Sequence, residues 1–122
     1  MTPMLRNDLY RLLSVTGSDG NYEARIKLCP ESAIYAAHFK EMPVTPGACL
    51  VEMACELASE ASGVKLDVSE ASDIRFLIPV LPDRTETLTF RLERTEESRP
   101  ALWNVRILDG EQLCARMKLT LE

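Results

Sequence analysis

Only one stretch of this chain carries the spacing of a sizeable helix, and it sits among segments that alternate apolar with polar residues. Leu50, Met53, Ala54, Leu57 and Ala61 recur on one side of the stretch from Pro46 to Ser62, the stripe an amphipathic helix lays on a core. Thr45 is a good cap for its start, since a threonine hydroxyl can accept a hydrogen bond from a first-turn N–H. Pro46 suits the first helical position, where no internal hydrogen bond is lost. Gly63 supplies the stop. A helix so bounded is roughly 25 Å long. Its other side is kept small by Ala48, Cys55, Ser59 and Ser62. Small residues suit close approach, so the pattern predicts a helix wrapped by sheet or met by a second subunit.

The flanking segments supply the sheet. Leu5 and Leu9 suggest a leading turn, and Tyr10 to Thr16 reads as a strand. Gly17-Ser18-Asp19-Gly20 is a turn cluster. Tyr22, Ala24, Ile26 and Leu28 then alternate with Glu23, Arg25 and Lys27, the signature of a half-buried strand. Glu31 to Ala37 forms about one helical turn. Beyond Gly63, Ile74, Phe76 and Ile78 alternate with polar neighbours until Pro79 and Pro82, which cannot donate to a ladder. Leu88, Phe90 and Leu92 form the next strand, and Glu96 to Pro100 a polar turn. Trp103, Val105 and Ile107 lead to Asp109-Gly110, a two-residue hairpin signal. Leu113, Ala115, Met117, Leu119 and Leu121 close the chain. The expectation is an α+β domain over residues 1–122, with an antiparallel sheet wrapped around one long central helix.

Charge and length exclude several functions. A net charge of -5 over 122 residues argues against nucleic acid, whose backbone needs a basic face. No run approaches the roughly 20 apolar residues of a membrane helix, so no membrane insertion is expected. The early residues lack a secretory pattern, and a cytoplasmic protein is expected. Cys29, Cys49, Cys55 and Cys114 form no C-x-x-C pair and have no set of histidines to join. A zinc site is not expected, and the thiols read as small buried groups.

Chemistry concentrates between residues 38 and 52. His38 is the sole histidine. Gly47 leaves the helix start bare of side chains, where free N–H groups and a partial positive charge can hold a developing oxyanion. Glu52 follows in the second turn. The bland alternative is a lone surface or core histidine, with Glu52, Glu56 and Glu60 as a solvated face at i, i+4 spacing.

His38-Phe39, Pro43, Pro46-Gly47 and Glu52 also fall on a longer pattern, His-Phe-Pro-Gly-x-Pro-x-x-Pro-Gly with an acid five residues later. On it the chain resembles the beta-hydroxyacyl-acyl carrier protein dehydratases. Ile74-Arg75-Phe76 before Pro79-Val80-Leu81-Pro82, and Trp103 to Leu121, continue the likeness. Lys40-Glu41 and Asp83-Arg84 depart from the family's Pro-Gly and Gly-Asp. The resemblance implies a hot-dog fold and dehydration of a (3R)-3-hydroxyacyl thioester carried on acyl carrier protein. It implies that His38 is the base, Glu52 the acid and the Gly47 N–H the oxygen donor. Phe39, Val44, Pro46, Phe76, Ile78 and Leu81 would line the substrate. It implies a homodimer, or a trimer of such dimers, with His38 of one subunit working beside the acid of the other. It calls for no cofactor and no metal. An acidic carrier would need a basic patch, for which Arg75, Arg84 and Arg106 are candidates. The rival readings are a hot-dog thioesterase and a non-catalytic subunit that binds the carrier.

Overall fold

The computed structural model describes residues 5–37, 44–95 and 101–122. β1 (Tyr10–Ser18) and β2 (Asn21–Leu28) make the first hairpin. Its turn is Asp19-Gly20 alone, with φ of 54° and 85°, the positive-φ turn whose twist suits two strands. The turn is shorter than the four-residue cluster predicts, because Gly17 and Ser18 stay in register with Tyr22 and Asn21.

After the short α1 (Ala33–Ala37) comes α2 (Gly47–Ser62). At 16 residues it is about 24 Å long. Gly63 ends it at φ 75°, and its N–H returns to the Ser59 carbonyl. The remaining strands are β3 (Val68–Phe76), β4 (Thr87–Arg94), β5 (Ala101–Asp109) and β6 (Gln112–Leu121). Together the strands form one six-stranded antiparallel sheet in the order β1-β2-β4-β5-β6-β3. β3 is third in the chain yet last in the sheet, and among the described residues β6 is the strand it pairs with.

Alternation decides which face is inside. Ala24, Ile26 and Leu28 of β2 point inward with Leu88, Phe90 and Leu92 of β4. Trp103, Val105 and Ile107 of β5 and Ala115, Met117 and Leu119 of β6 complete that face. Leu50, Met53, Ala54, Cys55, Leu57 and Ala58 of α2 join the same buried cluster. Each large side chain so buried contributes roughly 1.5–3 kcal/mol. The buried stripe takes in Cys55 and Ala58, whereas Ala61 is only half-buried. No helix among the described residues is long and apolar enough to cross a membrane.

Two local expectations are corrected. Thr45 does not cap α2. Pro46 is the cap residue, at φ -60° and ψ 143°, with no side-chain hydrogen bond. The Thr45 hydroxyl is instead bonded to the Tyr35 hydroxyl at 2.8 Å. A buried phenol needs a partner, and it competes for the hydroxyl with the helix amides. β3 also differs from its pattern. It begins at Val68, is exposed along nearly all its length, and shifts register near Asp73, whose φ is 48°. Ile78 therefore falls beyond the strand.

Candidate active site

Two stretches meet at the start of α2. The Thr45 amide donates to the Val80 carbonyl at 2.9 Å, tying residues 44–47 to the loop that follows β3. The Thr45–Tyr35 bond ties the same stretch to α1. Burial, the largest influence, pushes the Tyr35 phenol up. The ring of Phe76 covers Gly47: a Cβ added there would stand 2.5 Å from the ring, closer than side chains tolerate. Only glycine accepts the ring in that place. Val44, Pro46, Gly47, Ile78 and Leu81 are half-buried, and Phe76 is 53% exposed. These six predicted site residues thus belong to two adjoining stretches. His38 and Phe39, with Lys40-Glu41 and Pro43, lie outside the described residues.

Glu52 lies apart from that group. It lines a cleft of about 760 Å³ between α2, β1 and the chain leading into β3, together with Tyr10, Cys55, Glu56, Ser59 and Asp67. Val44, Pro46, Gly47, Phe76, Ile78 and Leu81 do not line this cleft. Glu52 is half-buried. Its carboxyl is held above the ordinary range, chiefly by burial and further by the negative charges of Glu56 and Asp67. The neighbouring thiols move the same way. Burial and then Glu52 push Cys49 up. Burial, followed by Glu52, Asp67 and Glu56, takes Cys55 to about 12. The Cys55 thiol donates to the Leu66 carbonyl at 3.2 Å, and the Leu66 amide donates to Ser59 Oγ at 3.0 Å. The small side of α2 is therefore met by the chain folding back beyond Gly63.

The three carboxylates at i, i+4 spacing have different fates. Glu56 accepts from the Leu5 amide at 2.7 Å, the Arg6 amide at 3.1 Å and the Tyr10 hydroxyl at 2.9 Å. It anchors the leading segment on α2. Glu60 pairs with Arg6 at 3.4 Å and is exposed. Glu52 makes no such contact among the described residues, and it alone keeps a free, half-buried carboxyl in the cleft. Spacing could not reveal the role of Glu56, because its partners lie some fifty positions away. Of the basic candidates, Arg75 and Arg106 stand on the exposed sheet face, and Arg84 lies in the loop between β3 and β4.

A six-stranded antiparallel sheet carrying one such helix is a hot-dog-like fold, and solved structures share it. The dehydratase heterocomplex ApeI:P from Xenorhabdus doucetiae superposes with a TM-score of 0.72 at 16% identity, over 91% of this chain and 96% of that one. An uncharacterized protein from Erwinia carotovora subsp. atroseptica gives 0.69 at 20% identity, over 93% and 96%. A putative thioesterase from Lactococcus lactis gives 0.69 at 15% identity, over 98% and 95%. Residues 14–118 match the ApeI-like family, described as ApeI dehydratase, and the chain belongs to that family. No curated protein matches the sequence.

Proposed function

We propose that the protein is a (3R)-3-hydroxyacyl-[acyl carrier protein] dehydratase that releases water to give the trans-2-enoyl thioester. The observation that carries this reading is Glu52, a half-buried carboxyl with a raised pKa facing a cleft, in a chain of the ApeI-like family. Hydroxide is a poor leaving group, so the 3-hydroxyl must gain a proton as its bond to C3 breaks. A carboxyl whose pKa is raised by burial holds its proton to higher pH than an ordinary one and can give that proton. His38 takes the proton from C2. The Gly47 N–H, at the positive end of α2, holds the thioester oxygen while charge gathers there. Val44, Pro46, Phe76, Ile78 and Leu81, with Phe39, line the acyl group. No metal or cofactor takes part.

In this reading the working form is a homodimer. Glu52 faces the cleft while Gly47, five residues earlier on α2, meets Phe76, and His38 of one subunit works beside Glu52 of the other. The free edge of β3 offers a contact, with Ile74, Phe76 and neighbouring Leu77 exposed, since an unpaired apolar edge invites a second strand. Pairs assemble further into trimers of dimers. The four cysteines are free, which fits a cytoplasmic setting.

The second reading is a hot-dog thioesterase, favoured by the Lactococcus lactis neighbour, itself described as a putative thioesterase. Purified protein incubated with 3-hydroxyacyl thioesters separates the two. Enoyl product that vanishes in His38→Ala and in Glu52→Gln is expected. Free acid would favour the thioesterase, and binding without turnover a non-catalytic carrier-binding subunit.

A further inference from the structure

Thr45 stands two residues before Gly47, yet its amide and its hydroxyl both bond elsewhere. The amide donates to the Val80 carbonyl at 2.9 Å. The hydroxyl shares a hydrogen bond of 2.8 Å with the Tyr35 hydroxyl. Thr45 and Tyr35 are each only 3% exposed, so neither hydroxyl has water to turn to. A threonine hydroxyl ordinarily has a nearer partner, the N–H two residues on. Here that N–H belongs to Gly47. Among the described residues the Gly47 amide has no partner, and α2 starts without a side-chain cap. The Cys49 and Leu50 amides, by contrast, are taken by the Pro46 carbonyl at 3.0 and 3.1 Å.

We propose that Tyr35 is a positioning residue, which draws the Thr45 hydroxyl toward α1 and so keeps the Gly47 amide open to a substrate carbonyl oxygen. The inference deepens the dehydratase reading and rests on it for the identity of that oxygen, a thioester's. A helix is steadier with a hydroxyl on its first-turn amides. This chain carries such a hydroxyl and holds it away from them. That arrangement makes sense if the amide serves substrate, because an oxyanion donor must stand unoccupied before the reaction begins. Three features keep it in place. The bond from the Thr45 amide to Val80 fixes the backbone about which the hydroxyl turns. The Tyr35 ring is part of the buried core cluster, so its hydroxyl is fixed too. Burial also pushes the Tyr35 phenol up, so it stays neutral at ordinary pH. Phenylalanine at position 35 would fill the same space and leave the Thr45 hydroxyl buried without a partner. That is costly, and the Gly47 N–H is within reach to relieve it. The new bond would cap α2 and close the oxygen donor in one step.

The test compares the parent with Tyr35→Phe, Thr45→Val and the double variant by two readouts. The first is the Gly47 amide proton, followed by NMR in the unliganded protein. It should be free of hydrogen bonding in the parent, in Thr45→Val and in the double variant. In Tyr35→Phe it should move downfield and exchange more slowly with solvent. The second readout is turnover of a 3-hydroxyacyl thioester to enoyl product. Tyr35→Phe should lose about 10²-fold in kcat, the scale set by one oxyanion donor. Its KM should hold, since that bond acts in the transition state. Removing the Thr45 hydroxyl as well should restore most of kcat. A purely structural role for Tyr35 would lower kcat without moving the Gly47 proton, and that result overturns the proposal. So does a Gly47 proton already hydrogen-bonded in the parent, which decides the matter even if Tyr35→Phe fails to fold. Turnover that stays low in the double variant overturns it too. A parent that makes no enoyl product sinks the dehydratase reading by itself, and the Gly47 proton still reports whether Tyr35 keeps this amide open.

Discussion

Glu52 and Gly47 show how much a single position can carry. Glu52 is held above its ordinary value of 4.5, mostly by burial. A group whose folded pKa is raised contributes fully to stability below its unfolded value and loses that contribution as pH rises through the folded value. Glu52→Gln never ionises. The variant should match the parent in acid and become the more stable of the two above the folded pKa, measured by thermal unfolding across pH. Its turnover should fall by about 10²-fold or more. The parent's own proton donation should fade as pH climbs through the same raised value. At Gly47 the contact with the Phe76 ring sets the sign. Gly47→Ala should displace the Phe76 ring, and because that ring is 53% exposed and can swing aside the cost should stay within about 0.5 kcal/mol and disappear when Phe76 is also changed to Ala. A double-mutant cycle reads the coupling directly. Local chemistry at the helix start points to Gly47 and the family pattern to Glu52, whereas i, i+4 spacing by itself leaves Glu52 on a solvated face. The partners of Glu56 are not legible, since nothing local in the sequence links it to Leu5, Arg6 and Tyr10.

At the scale of elements, α2 follows from its apolar stripe and its terminal glycine. Its body matches the expected span to within one residue. Its cap does not, because the hydroxyl suited to capping is taken by a tyrosine from α1. Short-range rules do not register such competition. β3 departs furthest: its register shifts, and both its faces are largely open, so alternation there reports no burial. The leading segment is held to α2 by three hydrogen bonds to the Glu56 carboxylate, with the exposed Arg6–Glu60 ion pair beside them. Glu56→Ala should cost about 1.5–3 kcal/mol, the range for hydrogen bonds to a charged group. It should also speed exchange at the Leu5 and Arg6 amides. Unchanged exchange there would show that the segment is held by other contacts.

Across the whole molecule, the proposed pairing of His38 from one subunit with Glu52 from another leads to a mixing experiment. His38→Ala and Glu52→Gln should each be inactive alone. Unfolded together, refolded and allowed to pair at random, they should recover about a quarter of the parent's activity, because half the dimers then hold one intact site of two. No recovery would mean that both groups act within a single chain. The antiparallel sheet was readable from alternation, but its strand order was not. Patterns name a strand's faces and leave its neighbours open. The placing of β3 against β6 also bears on biosynthesis. The ribosome releases β3 dozens of residues before β6, its neighbour in the sheet, exists. Until the final strand emerges, that segment and one flank of the helix stay uncovered, so a nascent chain stalled short of its end would be a target for chaperones.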